Sequence, residues 1–141
     1  MNIPHEILNL LKTQKFCSLA TCYQDEPHVS LMNFTYLAEE ELIILSSRED
    51  TTKVRQIKKS PSVAILLFSL GGEGKLPLSC TLYGTASVIS PDKEKFYREN
   101  HFRKNPDMGK FIMEENICVM TVSIRKAVLS DVEDSLRTWQ F

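Results

Sequence analysis

The sequence predicts a mainly β domain of the α+β class, a six-stranded antiparallel barrel with a few peripheral helices. Three observations lead there. Six segments, at 16–23, 28–37, 42–45, 62–69, 78–89 and 117–132, are rich in β-branched and aromatic residues. Helical spacing of apolar residues is confined to the amino terminus and three short stretches. An antiparallel sheet with this many short strands hides its edges best by closing on itself.

The elements follow in order. Met1 to Lys15 carries Ile3, Ile7, Leu8, Leu10 and Leu11, with Pro4 in the first turn where a helix tolerates it, and reads as an amphipathic helix lying on the core as a lid. Phe16–Tyr23 and His28–Leu37 form a hairpin around Gln24-Asp25-Glu26-Pro27. The acidic turn Ala38–Glu41 then leads to Leu42–Leu45, so three consecutive antiparallel strands are expected. From Thr51 the spacing of Val54 and Ile57 becomes helical, and Pro61 ends the helix because the residue before proline is driven out of helical geometry. Ser62–Ser69 contains the apolar run VAILLF and reads as a buried strand. Leu70–Pro77 holds three of the five glycines and reads as a mobile loop. Leu78–Ile89 is a long strand whose Gly84 marks a bend or a close approach. Helices at Pro91 to about Glu99 and Pro106 to Glu115 precede the closing strand at Ile117–Val132.

With 141 residues and no repeat or linker, one domain over 1–141 is expected. Seventeen basic residues against 18 acidic ones give a net charge of -1, which offers no general attraction for nucleic acid or an anionic membrane; an anion site has to be local. Nothing in the apolar runs or at the amino terminus reads as a membrane span or a secretory signal, so a cytoplasmic protein is expected. Cys17, Cys22, Cys80 and Cys118 lack metal-ligand spacing and read as reduced, buried thiols in apolar segments, with Cys17 and Cys22 on opposite faces of their strand. His5, His28 and His101 form no metal-ligand pattern and read as solvated or structural. His28 alone is kept in reserve, because it flanks the second strand.

The stretch "LSSREDTTKVRQI", residues 45–57, is the chemical focus. A helix amino terminus offers unpaired N–H groups and the positive end of a dipole. Thr51, Thr52 and Lys53 there, with Ser46 and Ser47 at the preceding strand end, suit a phosphate. The same residues also fit a helix capped by Asp50 or Thr51 with a solvated basic face. At about 100° per residue, Lys53 and Arg55 point apart, which makes Lys53 the better ligand.

Taken together, FCSLATCYQDEPHVSLMNFTY, ELIILSSREDTTKVRQIKKSPSVAILLF and TLYGTASVI resemble the pyridoxamine 5'-phosphate oxidase-like family of FMN-binding split β-barrels. The resemblance covers roughly residues 10–90 closely and the last third in outline. It implies FMN as cofactor, held at the interface of a homodimer. Ser30, Leu31, Met32 and Asn33 would lie along the flavin, Ser46 and Ser47 near the ribityl chain, and Thr51, Thr52 and Lys53 on the phosphate. Thr52 stands where the oxidase has arginine, and Arg48 and Arg55 are the nearby cations able to replace that charge. The other subunit is expected to contribute from the Cys80-Thr81 strand and the carboxyl-terminal region, where Trp139 is the aromatic candidate.

The ending Asp134 to Phe141 departs from the Trp-Arg and Arg-x-His pattern with which the oxidase holds its substrate's phosphate. The expectation is therefore a flavin-dependent oxidoreductase of the reductase or stress-protein type, using reduced nicotinamide or a small organic substrate, and not the oxidase itself. A flavin carrier without turnover, or a haem-binding relative, are the alternatives. Flavin supplies the redox chemistry in such proteins, so no nucleophile or acid–base dyad is required of the chain.

Overall fold

The computed structural model describes residues 1–133 and 135–141; Asp134, in the carboxyl-terminal stretch considered above, lies outside the described residues. The chain forms α1 (His5–Thr13), β1 (Phe16–Tyr23), β2 (Glu26–Asn33), β3 (Thr35–Leu37), β4 (Leu42–Arg48), α2 (Thr52–Lys59), β5 (Ser62–Ser69), β6 (Leu78–Val88), α3 (Glu94–Lys104), a 3-10 turn at Pro106–Met108, α4 (Gly109–Ile112), β7 (Ile117–Asp131) and β8 (Leu136–Gln140). All strand pairs are antiparallel. The mainly β architecture agrees with the expectation, but the described residues hold eight strands instead of six.

Two departures account for the difference. The expected strand 28–37 is broken at Phe34, whose N–H donates to the Lys15 carbonyl at 3.1 Å instead of joining a ladder. Residues 136–140, not expected as a strand, fold back on the second half of β7. The sheet order β2-β1-β5-β6-β7-β4-β3 also separates the two amino-terminal hairpins. β1–β2 forms one edge and β3–β4 the other, so the expected three-strand meander does not form. Phe34 carries the chain from one edge to the opposite one, and the barrel is split there. The Phe34 side chain is fully buried, which stabilises the crossing by about 1.5–3 kcal/mol at the usual value for a large apolar side chain. Above its ring lies the Lys104 ammonium of α3, 4.4 Å from the centroid, and Lys104 donates to the Leu11 carbonyl of α1 at 3.2 Å.

Local chemistry explains the joints. Gln24 and Asp25 both have positive φ and make the two-residue turn whose twist suits a tight hairpin; Pro27 then pairs with Cys22 on the edge strand, where a missing N–H is tolerated. At Gly84 the β6–β7 register shifts so that Arg125 bulges, and a Cβ on Gly84 would lie 2.4 Å from the Ser123 carbonyl oxygen. This is the close approach expected from the sequence. Arg125 folds back onto the bulge and donates to the Thr85 hydroxyl at 3.1 Å and the Gly84 carbonyl at 3.3 Å.

The core gathers Ile7, Leu10 and Leu11 of α1, Leu19, Ile65, Leu67 and Leu82 of the sheet, and Val54 and Ile57 of α2. The helix α2 is keyed to the first hairpin by Gln56: its side chain accepts from the Thr21 hydroxyl at 2.6 Å and donates to the Glu26 carbonyl at 2.9 Å. Strand β5 is buried on one face only. Leu66 and Phe68 are exposed on the other, the face that Val29 and Leu31 of β2 share across the intervening β1, where Ser18 pairs with both Leu31 and Leu66.

The helices after β6 depart from their expected bounds. Pro91–Lys93 forms a turn, so α3 begins at Glu94 and runs on to Lys104, while the expected helix 106–115 is a 3-10 turn followed by a single helical turn. Arg98 holds this region together: it pairs with Glu94 and donates to the carbonyls of Ile112 and Ile117. Gly109 lets α4 approach α3, because a Cβ there would overlap the Phe102 ring.

Candidate functional site

The split in the barrel opens a cleft of about 200 Å3 lined by Leu31, Met32 and Asn33 of β2, Ser46 and Ser47 of β4, Lys53 of α2, and His101, Met108, Phe111 and Ile112 of the α3–α4 region. Strand alternation turns Met32 inward and leaves Leu31 70% exposed at the rim. Of the residues singled out in the sequence, Leu31, Met32, Asn33, Ser46, Ser47 and Lys53 converge on this cleft. Ser30, Thr51 and Thr52 adjoin it without lining it.

The basic end is built by the transition from β4 to α2. Ser47 Oγ lies 3.1 Å from Thr51 Oγ1, and both hydroxyls donate to the Arg48 carbonyl, at 3.2 and 3.0 Å. Thr51 occupies the position before the helix without a side-chain capping bond, and the Asp50 carboxylate is taken by Arg48 in an exposed two-point pair. Neither side chain therefore caps α2, while Arg55, Lys58 and Lys59 are exposed, as the solvated-face alternative expects. Arg55 leans back along the helix, as helical side chains do, donating to the Asp50 carbonyl at 2.8 Å and the Thr52 hydroxyl at 3.2 Å. Its charge thus sits beside Thr52. Lys53 is half-buried and has no carboxylate within ion-pair distance among the described residues. Burial pulls its ammonium below the ordinary lysine range.

The opposite wall contains the residue that sequence reasoning missed. His101 is 1% exposed; its Nδ1 is 2.7 Å from the Thr35 hydroxyl and its Nε2 has no partner. Asn105 Nδ2 donates to Thr35 Oγ1 at 3.1 Å and to the His101 carbonyl at 3.2 Å, and Asn105 Oδ1 accepts from Asn33 at 3.3 Å. The second strand is thereby linked to α3 through a buried polar chain. Burial first, and then the nearby Lys104, pushes the His101 imidazole down to about 4, so it is neutral at pH 7. No motif marks His101 in the sequence. The one signal was a histidine three residues after Arg98 and three before Lys104, which the helix places inward.

His28 is half-buried on β2 and does not line the cleft. Trp139 packs partly against the core opposite Ala127, with Arg137 5.7 Å above its ring. The thiols of Cys17 and Cys80 are buried and pushed up to about 12, while Cys22 is exposed, so the expectation of buried thiols holds for Cys17, Cys80 and Cys118 only. Among the described residues no cluster of His, Cys, Asp and Glu could hold a metal ion, and no helix is long and apolar enough to cross a membrane.

The lining fits an acceptor-rich anion. The Lys53 ammonium can only donate, the Asn33 amide, the Ser46 and Ser47 hydroxyls and the His101 imidazole can each donate or accept, and no carboxylate is among them. Ser30 Oγ and His101 Nε2 are buried polar atoms without partners among the described residues, and such atoms are uncommon in a folded chain. The volume is below the roughly 300–1,000 Å3 of a typical small-molecule site.

Comparison with known proteins agrees with the geometry. The family model for pyridoxamine 5'-phosphate oxidase matches residues 3–122. A pyridoxamine 5'-phosphate oxidase homolog of Saccharomyces cerevisiae is 29% identical, over 94% of this chain and 92% of that one. Among solved structures, a FAD-binding protein of Mesorhizobium loti superposes with a TM-score of 0.75 at 15% identity, covering 88% of this chain and 89% of that one. The haem storage protein HutZ of Vibrio cholerae superposes with a TM-score of 0.67 at 18% identity, covering 89% and 92%. At these identities the two structures speak for the fold, and the family match speaks for kinship: the chain belongs to the pyridoxamine 5'-phosphate oxidase-like family.

Proposed function

We propose that this protein binds FMN in the cleft at the barrel split and acts as a flavin-dependent oxidoreductase. The single observation carrying this reading is the convergence on that cleft of groups able to donate, with no carboxylate among them, above all the half-buried Lys53, which has no carboxylate partner among the described residues. Ser30 to Asn33 would lie along the flavin ring, with the orphaned Ser30 Oγ finding an acceptor there. Ser46 and Ser47 would meet the ribityl chain. Thr51, Thr52 and Lys53 would hold the phosphate at the start of α2, with Arg55 beside Thr52 supplying the charge that arginine carries in the oxidase. Bound flavin would supply hydride and electron transfer; the chain contributes position, a shielded wall and a positive end.

The site is completed by a second copy of the chain. Val29 and Leu31, 67% and 70% exposed, share the outer sheet face with Leu66 and Phe68, with Ser18 and Ala20 of β1 between them, so that several large apolar side chains are exposed on one face. This face adjoins the cleft through Leu31, so a partner seated on it would enlarge the pocket toward flavin size. The test is direct: the purified protein is expected to be a yellow dimer whose flavin absorbance bleaches when NADPH or NADH is added without oxygen. A yellow dimer that neither nicotinamide reduces is a carrier, or an enzyme with another reductant.

A second reading, haem binding, is favoured by one observation, the buried Nε2 of His101, a cleft-lining residue, which has no partner among the described residues. It requires the ring nitrogen to present a lone pair and not a hydrogen. A Soret band in place of flavin absorption would establish it.

A further inference from the structure

The buried polar chain behind the cleft fixes more than the position of His101. Asn105 Nδ2 gives its hydrogens to Thr35 Oγ1 and the His101 carbonyl. Thr35 is itself buried, and Nδ1 of His101, at 2.7 Å, is the acceptor within its hydroxyl's reach. If Nδ1 carried the ring hydrogen, the Thr35 hydroxyl proton would have no acceptor among the described residues, and the Asn105 amide 3.4 Å away would face a second donor. The favourable arrangement runs from Asn105 to Thr35 to Nδ1. The ring hydrogen is then on Nε2, whose burial without a partner is already apparent.

Resting on the flavin reading above, we infer that His101 is a ligand-positioning residue whose Nε2–H donates to an oxygen or nitrogen acceptor on the ring system of the bound cofactor, and not to its phosphate. The distinction follows from the layout of the cleft. Lys53, Ser47 and Thr51 cluster at the β4–α2 junction, the phosphate end. His101 is tied through Asn105 to Asn33, on the strand proposed to lie along the flavin. It therefore stands at the ring end. Burial and the neighbouring Lys104 hold the imidazole neutral, so it offers a donor without adding charge, and hydroxyl and amide partners lock the tautomer that makes it one.

Nitrogen-15 NMR of the histidine-labelled protein reads the tautomer before any ligand is added, and titration of FMN and riboflavin then reads the contact. The Nε2–H form is expected in the unloaded protein, with the Nε2 signal moving on addition of either flavin. His101→Phe should weaken FMN and riboflavin by the same factor, about tenfold for one buried neutral hydrogen bond. His101→Gln, which keeps a donor at similar reach, should stay within about threefold of the wild type. Lys53→Ala should weaken FMN far more than riboflavin. The inference is overturned by an Nδ1–H tautomer, which would leave Nε2 with a lone pair and no hydrogen to donate, or by riboflavin affinity that His101→Phe does not change. The tautomer and the ligand-induced shift are read on the wild type, so a variant that fails to fold does not remove the test. Wild-type protein that binds neither flavin overturns this inference together with the reading beneath it, whereas flavin binding with an indifferent His101 overturns this inference alone.

Discussion

Replacing Lys53 by alanine separates the two roles a buried cation can have. The Lys53 ammonium is half-buried at the start of α2, without a carboxylate partner among the described residues, and its ionisation is shifted down by desolvation. Holding an unpaired charge there opposes folding of the unliganded chain, so Lys53→Ala should leave the thermal midpoint unchanged or raise it. Toward FMN the sign reverses. A hydrogen bond between charged groups contributes about 1.5–3 kcal/mol, which at about 1.4 kcal/mol per decade corresponds to roughly a ten- to hundredfold weaker complex. Removing a cation from a phosphate contact should also flatten the salt dependence of FMN binding. Isothermal titration at two ionic strengths, with thermal melts of the unliganded proteins, supplies all three values. Unchanged FMN affinity would refute the assignment of Lys53, and a large loss of unliganded stability would show that its charge is compensated within the fold.

Other expectations follow from the same structure. Phe68→Glu sets a charge on the exposed apolar sheet face at a distance from the cleft and should turn a dimer into a monomer by sedimentation; a flavin-loaded wild-type protein with monomeric mass would disprove the shared site. Gly84→Ala forces a Cβ to within 2.4 Å of the Ser123 carbonyl oxygen and should destabilise the fold by about 1–3 kcal/mol, as overpacking usually does; an unchanged denaturant midpoint would contradict the close approach. His101 has a folded pKa of about 4 against an ordinary 6.5. Between those values the unfolded chain binds the extra proton, so the contribution is fully present above 6.5 and falls away as pH drops toward 4, by up to about 3 kcal/mol. His101→Gln should remove that part of the slope in unfolding free energy measured from pH 7 to 4, and parallel wild-type and variant profiles would count against a buried neutral histidine.

Much of the fold was legible because local chemistry and tertiary structure agree. The first hairpin, the helix ended by Pro61 and the close approach at Gly84 each have a cause written in neighbouring residues. The break at Phe34 does not. Asn33, Phe34, Thr35 and Tyr36 continue an alternating pattern through the crossing, and only the consecutive burial of Phe34 and Thr35 reveals that the strand has changed edges. The same applies to β5, where an apolar run suggests burial on both faces although Leu66 and Phe68 are exposed on one. That surplus is now a reason to expect a partner.

The candidate site divides similarly. Serines at a strand end and two threonines and a lysine at the start of a helix suggested one site from residue type and order, and Ser46, Ser47 and Lys53 do line a common cleft. His101 was not recognisable, because α3 inverts the usual rule: it buries a histidine and exposes Phe96 and Phe102. Its part depends on Thr35, Asn33 and Asn105, residues 66 and 72 positions apart in the pairs that bond, and no spacing rule connects them.

The most direct measurement is the absorption spectrum of the purified protein, followed by identification of the ligand released on heating. Flavin bands with FMN in the released fraction are the expected result, as is uptake of one FMN per protomer by any unloaded material. A Soret band, or a colourless protein that takes up no FMN, would contradict the central claim.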